Sequence, residues 1–332
     1  MLGGAMARVL SGIQPSGSLH LGNLLGAVRN WAVDQHEADS FFCVVDYHAI
    51  TVPQDPATLR EATLSLARLL VASGLDPDVC TLFVQSHVPA HTELGWIMEC
   101  TVSYGELRRM VQFKDKADRA DFVSGGLLTY PALQAADILL YETDRVPVGE
   151  DQRQHLELAR TAATRFNSRY GETFVVPEAT IPMAGARVMD LQNPQAKMSK
   201  SSESPQGTVN VLDDLATVAR KIRRAVTDTG SEVRYDPREK PGVSNLLSIL
   251  AACTSREPEE VAPGYTQYGP LKADTAEAVV EYLRPIQARY AELSADPPAM
   301  AAILGKGADK AEAVASGVLR RARRAIGLLD RS

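Results

Sequence analysis

Short runs of consecutive apolar residues alternate, through the first half of the chain, with longer stretches whose apolar positions recur every three or four residues. Residues 7–11 read as a strand; next come a Gly- and Ser-rich turn and then helical periodicity from about His20 to Gln35. Residues 41–45 repeat the strand pattern. Asp55 and Pro56 come next, an N-cap and a first-turn residue that suit the orphan N–H groups of a helix start. That helix carries Leu59, Thr63, Leu66 and Leu70 on one stripe and stops at Gly74. Residues 81–84 supply a third strand. Strands and helices alternating in this way are joined by right-handed crossovers into a parallel sheet, so the expected fold is α/β, doubly wound and Rossmann-like. Ligands in such sheets sit beyond the carboxyl ends of the strands, which directs attention to the residues after Leu10 and after Val45.

The pattern changes after about Pro194. A loop rich in Ser, Pro and Gly covers residues 198–207, and almost every later segment has helical spacing. One has Asp213 as its expected cap, with Leu215, Val218, Ile222 and Val226 on one face and a basic run opposite. Further helices are expected near residues 243–252, 274–293 and 309–329. The implied organisation is a catalytic domain over residues 1–194, a junction loop over 195–207, an all-helical second domain over 208–305, and a closing helix over 306–332 packed back near the first domain.

Composition narrows the class. With 332 residues, 45% hydrophobic and 23% charged, the chain is long enough for two domains of ordinary globular make-up. No window nears the ~18 uninterrupted apolar residues of a spanning helix, and residues 1–10 lack the charged and apolar blocks of a secretory signal. The expectation is a cytoplasmic protein with no membrane contact. A net charge of −6 disfavours coating nucleic acid through bulk electrostatics. Any RNA contact must be local, through the runs 220–224 and 320–324, although such runs are more often just solvated helix faces. Cys43, Cys80, Cys100 and Cys253 show no paired spacing and are expected reduced and buried. His87 and His91 stand four apart, but Pro89 lies between them and no third ligand is in register, so no metal site is expected.

Neither a Gly-x4-Gly-Lys-Ser/Thr phosphate loop nor a Gly-x-Gly-x-x-Gly fingerprint comes after the first strand. The chain there reads Gly12-Ile-Gln-Pro-Ser-Gly17-Ser-Leu-His20-Leu-Gly22-Asn23. Its glycines let a nucleotide approach the backbone, and His20 and Asn23 stand at a helix start, where N–H groups and dipole favour phosphate. A glycine-rich turn with two capping residues accounts for the same stretch. Lys197-Met198-Ser199-Lys200-Ser201 then places two cations and two hydroxyls on a loop at the junction, where closure over a triphosphate would neutralise charge shifting onto the leaving pyrophosphate.

With those two elements together the chain resembles the class I aminoacyl-tRNA synthetases, and most of all their bacterial tryptophan branch. The resemblance extends over essentially the whole length, through Val44-Val-Asp-Tyr-His-Ala-Ile-Thr51, Gly105-Glu-Leu, Leu128-Thr-Tyr-Pro131, Ala135-Ala-Asp-Ile-Leu-Leu-Tyr141, Val146-Pro-Val-Gly-Glu-Asp-Gln152 and Lys240-Pro-Gly242. It implies an ATP site lined by Gln14, Pro15, Ser16, Gly22, Asn23, Gly149, Glu150, Asp151, Val188 and Lys197–Ser201. Catalysis would fall to His20, Asn23, Lys116, Lys197, Lys200 and Ser201, with Mg²⁺ carried on ATP. Tyr130 and Gln152 would hold the α-amino and carboxylate groups of tryptophan, while His48, Val146 and Val148 would shape its pocket. Partners implied are L-tryptophan, its transfer RNA and a second copy of the chain.

Asp137 is the residue on which amino-acid choice turns. Leu133, Ala135, Ala136 and Ile138–Leu140 flank it, which points to burial in an apolar pocket rather than to a surface ion pair. A site built around a hydrogen bond to the indole N–H rejects analogues lacking it by ~10⁴–10⁵, so no editing domain is required. Leu10 and Gln134 stand where the family commonly has phenylalanine and methionine, which suggests altered tolerance of tryptophan analogues. The rival readings are the tyrosine enzyme, which shares the fold and both signatures, and a synthetase-like regulator without catalysis.

Overall fold

The computed structural model describes residues 6–117, 122–147, 152–180, 186–199 and 204–329. β1 (Arg8–Ile13) leads into α1, residues 21–34, in which Leu21–Asn23 and Arg29–Asp34 flank a π-helical stretch, Leu24–Val28. β2 (Asp39–Val44), α2 (Pro56–Ala72) and β3 (Thr81–Val84) come after it. Asp55 accepts from the Thr58 N–H at 2.8 Å as the cap of α2, and Gly74, at φ 110°, takes the chain away from its end. Next come α3 (Ala90–Glu99), α4 (Tyr104–Arg108), α5 (Val111–Ala117) and α6 (Gly125–Leu139). β4 (Arg145–Pro147), α7 (Arg153–Tyr170) and β5 (Glu178–Thr180) complete the sheet region.

The five strands lie in the order β3-β2-β1-β4-β5, all parallel. Because β1 is central and the chain runs outward from it in both directions, strand order reverses beside β1, and the crevice beyond its carboxyl end is where a ligand belongs. β2 and β3 are almost wholly buried at their pairing positions, as strands covered on both faces must be. The fold is thus the expected doubly wound α/β sheet with helices added. The three-residue strands β4 and β5 were not anticipated.

The last three long helices begin earlier than their periodic cores suggested, while the one before them ends sooner. α8 (Leu215–Arg223), α9 (Pro241–Thr254), α10 (Tyr268–Ala295) and α11 (Pro297–Ala325) form the helical part. Asp214, not Asp213, caps α8 by accepting from Thr217 N–H at 2.9 Å. Asp213 instead receives Lys221 Nζ at 2.7 Å, so this member of the basic run faces inward and is buried rather than solvated. Val226 lies past the end of α8 and is exposed, because the helix stops before the next turn would bring it round. The cysteines also need correction: Cys43 and Cys80 are buried, but Cys253 is partly open and Cys100 exposed, at the carboxyl end of α3.

α11 returns to the sheet. Gly307 lies so close to β3 that a Cβ there would sit 1.8 Å from the Leu82 carbonyl oxygen. Lys306 pairs with Asp78 at 2.6 Å, while Arg321 and Arg323 pair with Glu142 and Glu93. The second basic run is therefore partly committed to holding this helix in place. No helix among the described residues is long and apolar enough to cross a membrane.

Candidate active site

The β1–α1 turn and the junction loop meet. His20 caps α1: its Nδ1 accepts from Asn23 N–H at 3.3 Å, and Asn23 Oδ1 accepts in return from His20 N–H at 3.4 Å. The capping that accounted for these residues without a ligand is thus present. Residues 208–211 run alongside, with Leu21 N–H donating to Val209 O at 2.8 Å and Val211 N–H to Leu19 O at 2.9 Å. Met198 is buried against the start of α1, where a Cβ on Gly22 would lie 3.5 Å from Met198 Cβ. Met198 N–H donates to Val188 O at 3.1 Å, Met189 bridges Lys197, and Ser199 O accepts from Thr208 Oγ1 at 2.9 Å. His20, Gly22, Asn23, Val188 and Lys197–Ser199 are therefore one neighbourhood. Val148, Gly149, Glu150, Asp151, Lys200 and Ser201 lie outside the described residues. So does the side chain of Lys116, whose backbone is in α5.

A cavity of about 380 Å³ opens beside β1. Leu10, Gln14, His48, Tyr130, Gln134, Asp137, Val146 and Gln152 all line it, with Ser11, Gly12 and Gln112 among the others. Gly12 brings backbone to the wall, since a Cβ there would press on Val45 Cγ1 at 3.1 Å. Pro15 and Ser16 stand in the turn that leads from this cavity toward His20.

Asp137 is buried, as its neighbours in sequence required, but its surroundings are not apolar. His48 Nε2 is 2.7 Å from Oδ2; His91 Nδ1 and Gln85 Nε2 are 2.6 and 2.7 Å from Oδ1. The correction has a physical reason: a buried carboxylate is tolerated only when its acceptor positions are met. Burial alone would raise its pKa, but the charge and hydrogen bond of His48, joined by the hydrogen bond of His91, hold it below the usual carboxylate range. Asp137 is therefore ionised and accepts only. A carboxylate offers about four acceptor positions; the described residues take three, leaving one on Oδ2, where His48 is the only partner among them.

The second polar group of the cavity centres on Tyr130. Its hydroxyl is 2.8 Å from His155 Nε2 and donates to Gln112 Oε1 at 3.2 Å. His155 Nδ1 reaches Gln152 Oε1 at 3.1 Å, and Gln134 Nε2 donates to the same oxygen at 3.4 Å. Burial pushes the Tyr130 hydroxyl up to about 12, so it stays protonated at neutral pH. The sequence reading missed Gln85, His91, Gln112 and His155. For His91 the signal was present but was weighed as half of a metal pair with His87. Among the described residues no group of three or more His, Cys, Asp or Glu is placed to hold a metal ion.

The family described as "tRNA synthetases class I (W and Y)" matches residues 4–284. The chain is 58% identical over 330 residues to tryptophan–tRNA ligase 1 of Streptomyces coelicolor, covering 98% of each. It is 53% identical over 328 residues to tryptophan–tRNA ligase of Caldanaerobacter subterraneus, covering 98% of this chain and all of that one. Among solved structures it is similar to tryptophanyl-tRNA synthetase of Mycoplasma pneumoniae, at 37% identity and TM-score 0.90, covering 98% of each chain. The enzyme of Campylobacter jejuni, crystallised with ADP and tryptophan, superposes at TM-score 0.84 and 35% identity, covering 97% of this chain and 100% of that one.

Proposed function

The chain belongs to the class I tRNA synthetases that serve tryptophan and tyrosine, and we propose that it is the tryptophan member, which activates L-tryptophan with ATP and esterifies it to the matching transfer RNA. The observation that carries the amino-acid site is the one acceptor position that the described residues leave on buried, ionised Asp137 in the cavity beside β1. It suits an indole N–H. A phenol hydroxyl would gain the same bond, but the relatives above half identity are tryptophan enzymes, whereas the tyrosyl enzyme of Aeropyrum pernix shares the fold alone, at 24% identity.

In this reading the tryptophan carboxylate attacks the α-phosphorus of ATP, forming tryptophanyl-adenylate as pyrophosphate leaves. Tyr130, Gln152 and Gln134 orient the α-amino and carboxylate groups; Leu10, His48, Val146 and Val148 enclose the ring. Lys116, Lys197 and Lys200, with Ser201, His20 and Asn23, stabilise charge moving onto the phosphates, and Mg²⁺ travels on ATP. Gln14, Pro15, Ser16, Gly22, Gly149, Glu150, Asp151, Val188, Met198 and Ser199 frame the nucleotide. The terminal adenosine hydroxyl of the RNA then attacks the acyl carbon of the adenylate and takes the aminoacyl group as AMP leaves.

Residues 1–194 hold both small substrates and 195–207 cover them; 208–305 meet the RNA, for which Arg220, Arg223 and Arg224 are exposed, and 306–332 brace the catalytic half. Exposed Ile50 and Trp96, which border one groove, support a homodimer. The place of work is the cytoplasm, where translation runs. Pyrophosphate exchange across the twenty amino acids tests the assignment: tryptophan alone should drive it, and exchange driven by tyrosine, or by none, would overturn it.

A further inference from the structure

Three donors on one carboxylate leave the question of what each contributes. His48 lines the cavity, as a residue that touches substrate must. His91 does not: it is fully buried on α3, behind Asp137, with Nδ1 on Asp137 Oδ1 and Nε2 2.7 Å from the Tyr141 hydroxyl. Its tautomer is set by its neighbours. An ionised carboxylate only accepts, so Nδ1 carries the proton, and in a neutral imidazole Nε2 is then an acceptor that takes the Tyr141 O–H. Tyr141, itself fully buried, keeps that proton because burial pushes its ionisation far up. Gln85 is likewise oriented: its Oε1 accepts from Tyr47 N–H at 3.1 Å, which turns Nε2 toward Oδ1 at 2.7 Å. Both positions of Oδ1 are thereby closed from behind.

We propose that His91 is a positioning residue for amino-acid choice. Held in its Nδ1–H tautomer by Tyr141 and acting with Gln85, it saturates Oδ1 of Asp137 and fixes the carboxylate plane, so that the remaining position on Oδ2 is presented to the substrate N–H. The inference rests on the tryptophan reading of the site and extends it to a residue that never meets substrate. Without the Nδ1 bond the carboxylate gains a second open position and a rotation, and the indole N–H loses its single direction.

The test is pyrophosphate exchange with tryptophan and with its benzothiophene analogue, in which sulfur replaces the indole N–H. The readout is the ratio of kcat/KM for the two. In His91→Leu the ratio should fall by roughly 10- to 100-fold, the loss expected for a hydrogen bond to a charged group, with the change carried by the KM for tryptophan and the KM for ATP unmoved. His91→Asn, whose amide N–H takes the place of Nδ1–H, should keep most of the ratio. Tyr141→Phe removes only the far hydroxyl and should lower it by about fivefold, as for a neutral hydrogen bond; it also serves if the leucine variant does not fold. A wild-type ratio in both His91→Leu and Tyr141→Phe, or a fall in His91→Asn as deep as in the leucine variant, would overturn the proposal. Asp137→Asn is the separate control: if it retains the wild-type ratio, the tryptophan reading of the carboxylate itself fails.

Discussion

Replacing Gly307 by alanine measures how tightly α11 is seated on the sheet. A Cβ there would lie 1.8 Å from the Leu82 carbonyl oxygen and 2.7 Å from its carbon, where ordinary contact begins at 3.4 Å. The helix must retreat by well over an ångström, or the strand must bend. Retreat opens a gap over Ala308, Ala311 and Ala315, all buried, and a gap of ~0.5–1 Å already forfeits about a quarter to a half of each dispersion contact. Overpacking costs about 1–3 kcal/mol, and the upper end is expected because the obstructing atoms are backbone. Removing a helical glycine returns ~0.5–1 kcal/mol. The net loss is about 2 kcal/mol, a fall of roughly 3 °C in Tm for a chain of this length. Gly305, in the same helix, is exposed and has nothing within 4 Å of its would-be Cβ, so Gly305→Ala should gain ~0.5–1 kcal/mol. Thermal and urea unfolding of both variants gives the comparison. Midpoints moving the same way by the same amount would refute the reasoning.

Three further outcomes are expected. Lys197→Ala and Lys200→Ala should slow adenylate formation far more than they weaken tryptophan binding, measured by single-turnover activation beside equilibrium titration; equal effects would contradict a role at the phosphates. Leu10→Phe and Gln134→Met should shift inhibition constants of indole-based competitors, since both residues line the cavity and Gln134 bonds Gln152; unchanged constants in both variants would end that idea. Glu106, gripped by Arg165 at 2.7 and 3.0 Å, is pulled down to about 2 by that hydrogen bond against the opposing effect of burial. A depressed carboxylate stabilises the fold above its unfolded pKa and stops doing so as pH falls through its folded one. The stability gap between wild type and Glu106→Gln should therefore be full at neutral pH and close between about pH 4.5 and 2; a gap independent of pH would show that the pair contributes nothing.

Much of the fold was legible because its signals are local. The cap at Asp55, the stop at Gly74 and the β-rich run 81–84 each depend on a few adjacent residues, and each lies where the pattern put it. β4 and β5 were not legible, because three residues are too few to show a period of two. Asp213 and Asp214 are equally good caps on paper; only the Lys221 partnership separates them. The burial of Asp137 could be read from its apolar neighbours, yet its partners could not. Gln85 and His91 lie 52 and 46 residues away, brought in by β3 and the turn into α3, and nothing local marks a histidine as facing a distant carboxylate.

The strand order leaves β3 at one border of the sheet, and a strand's carbonyls lie in the sheet plane, so the approach of Gly307 to Leu82 O comes from the open side. α11 is thus the cover of that border, and ribosomes make it more than two hundred residues after β3. Through most of translation the nascent polypeptide carries a bare, apolar strand able to recruit strands from other chains. Ordering the border waits on a segment far downstream, a non-local topology of the kind that folds slowly and depends most on shielding while it is being made.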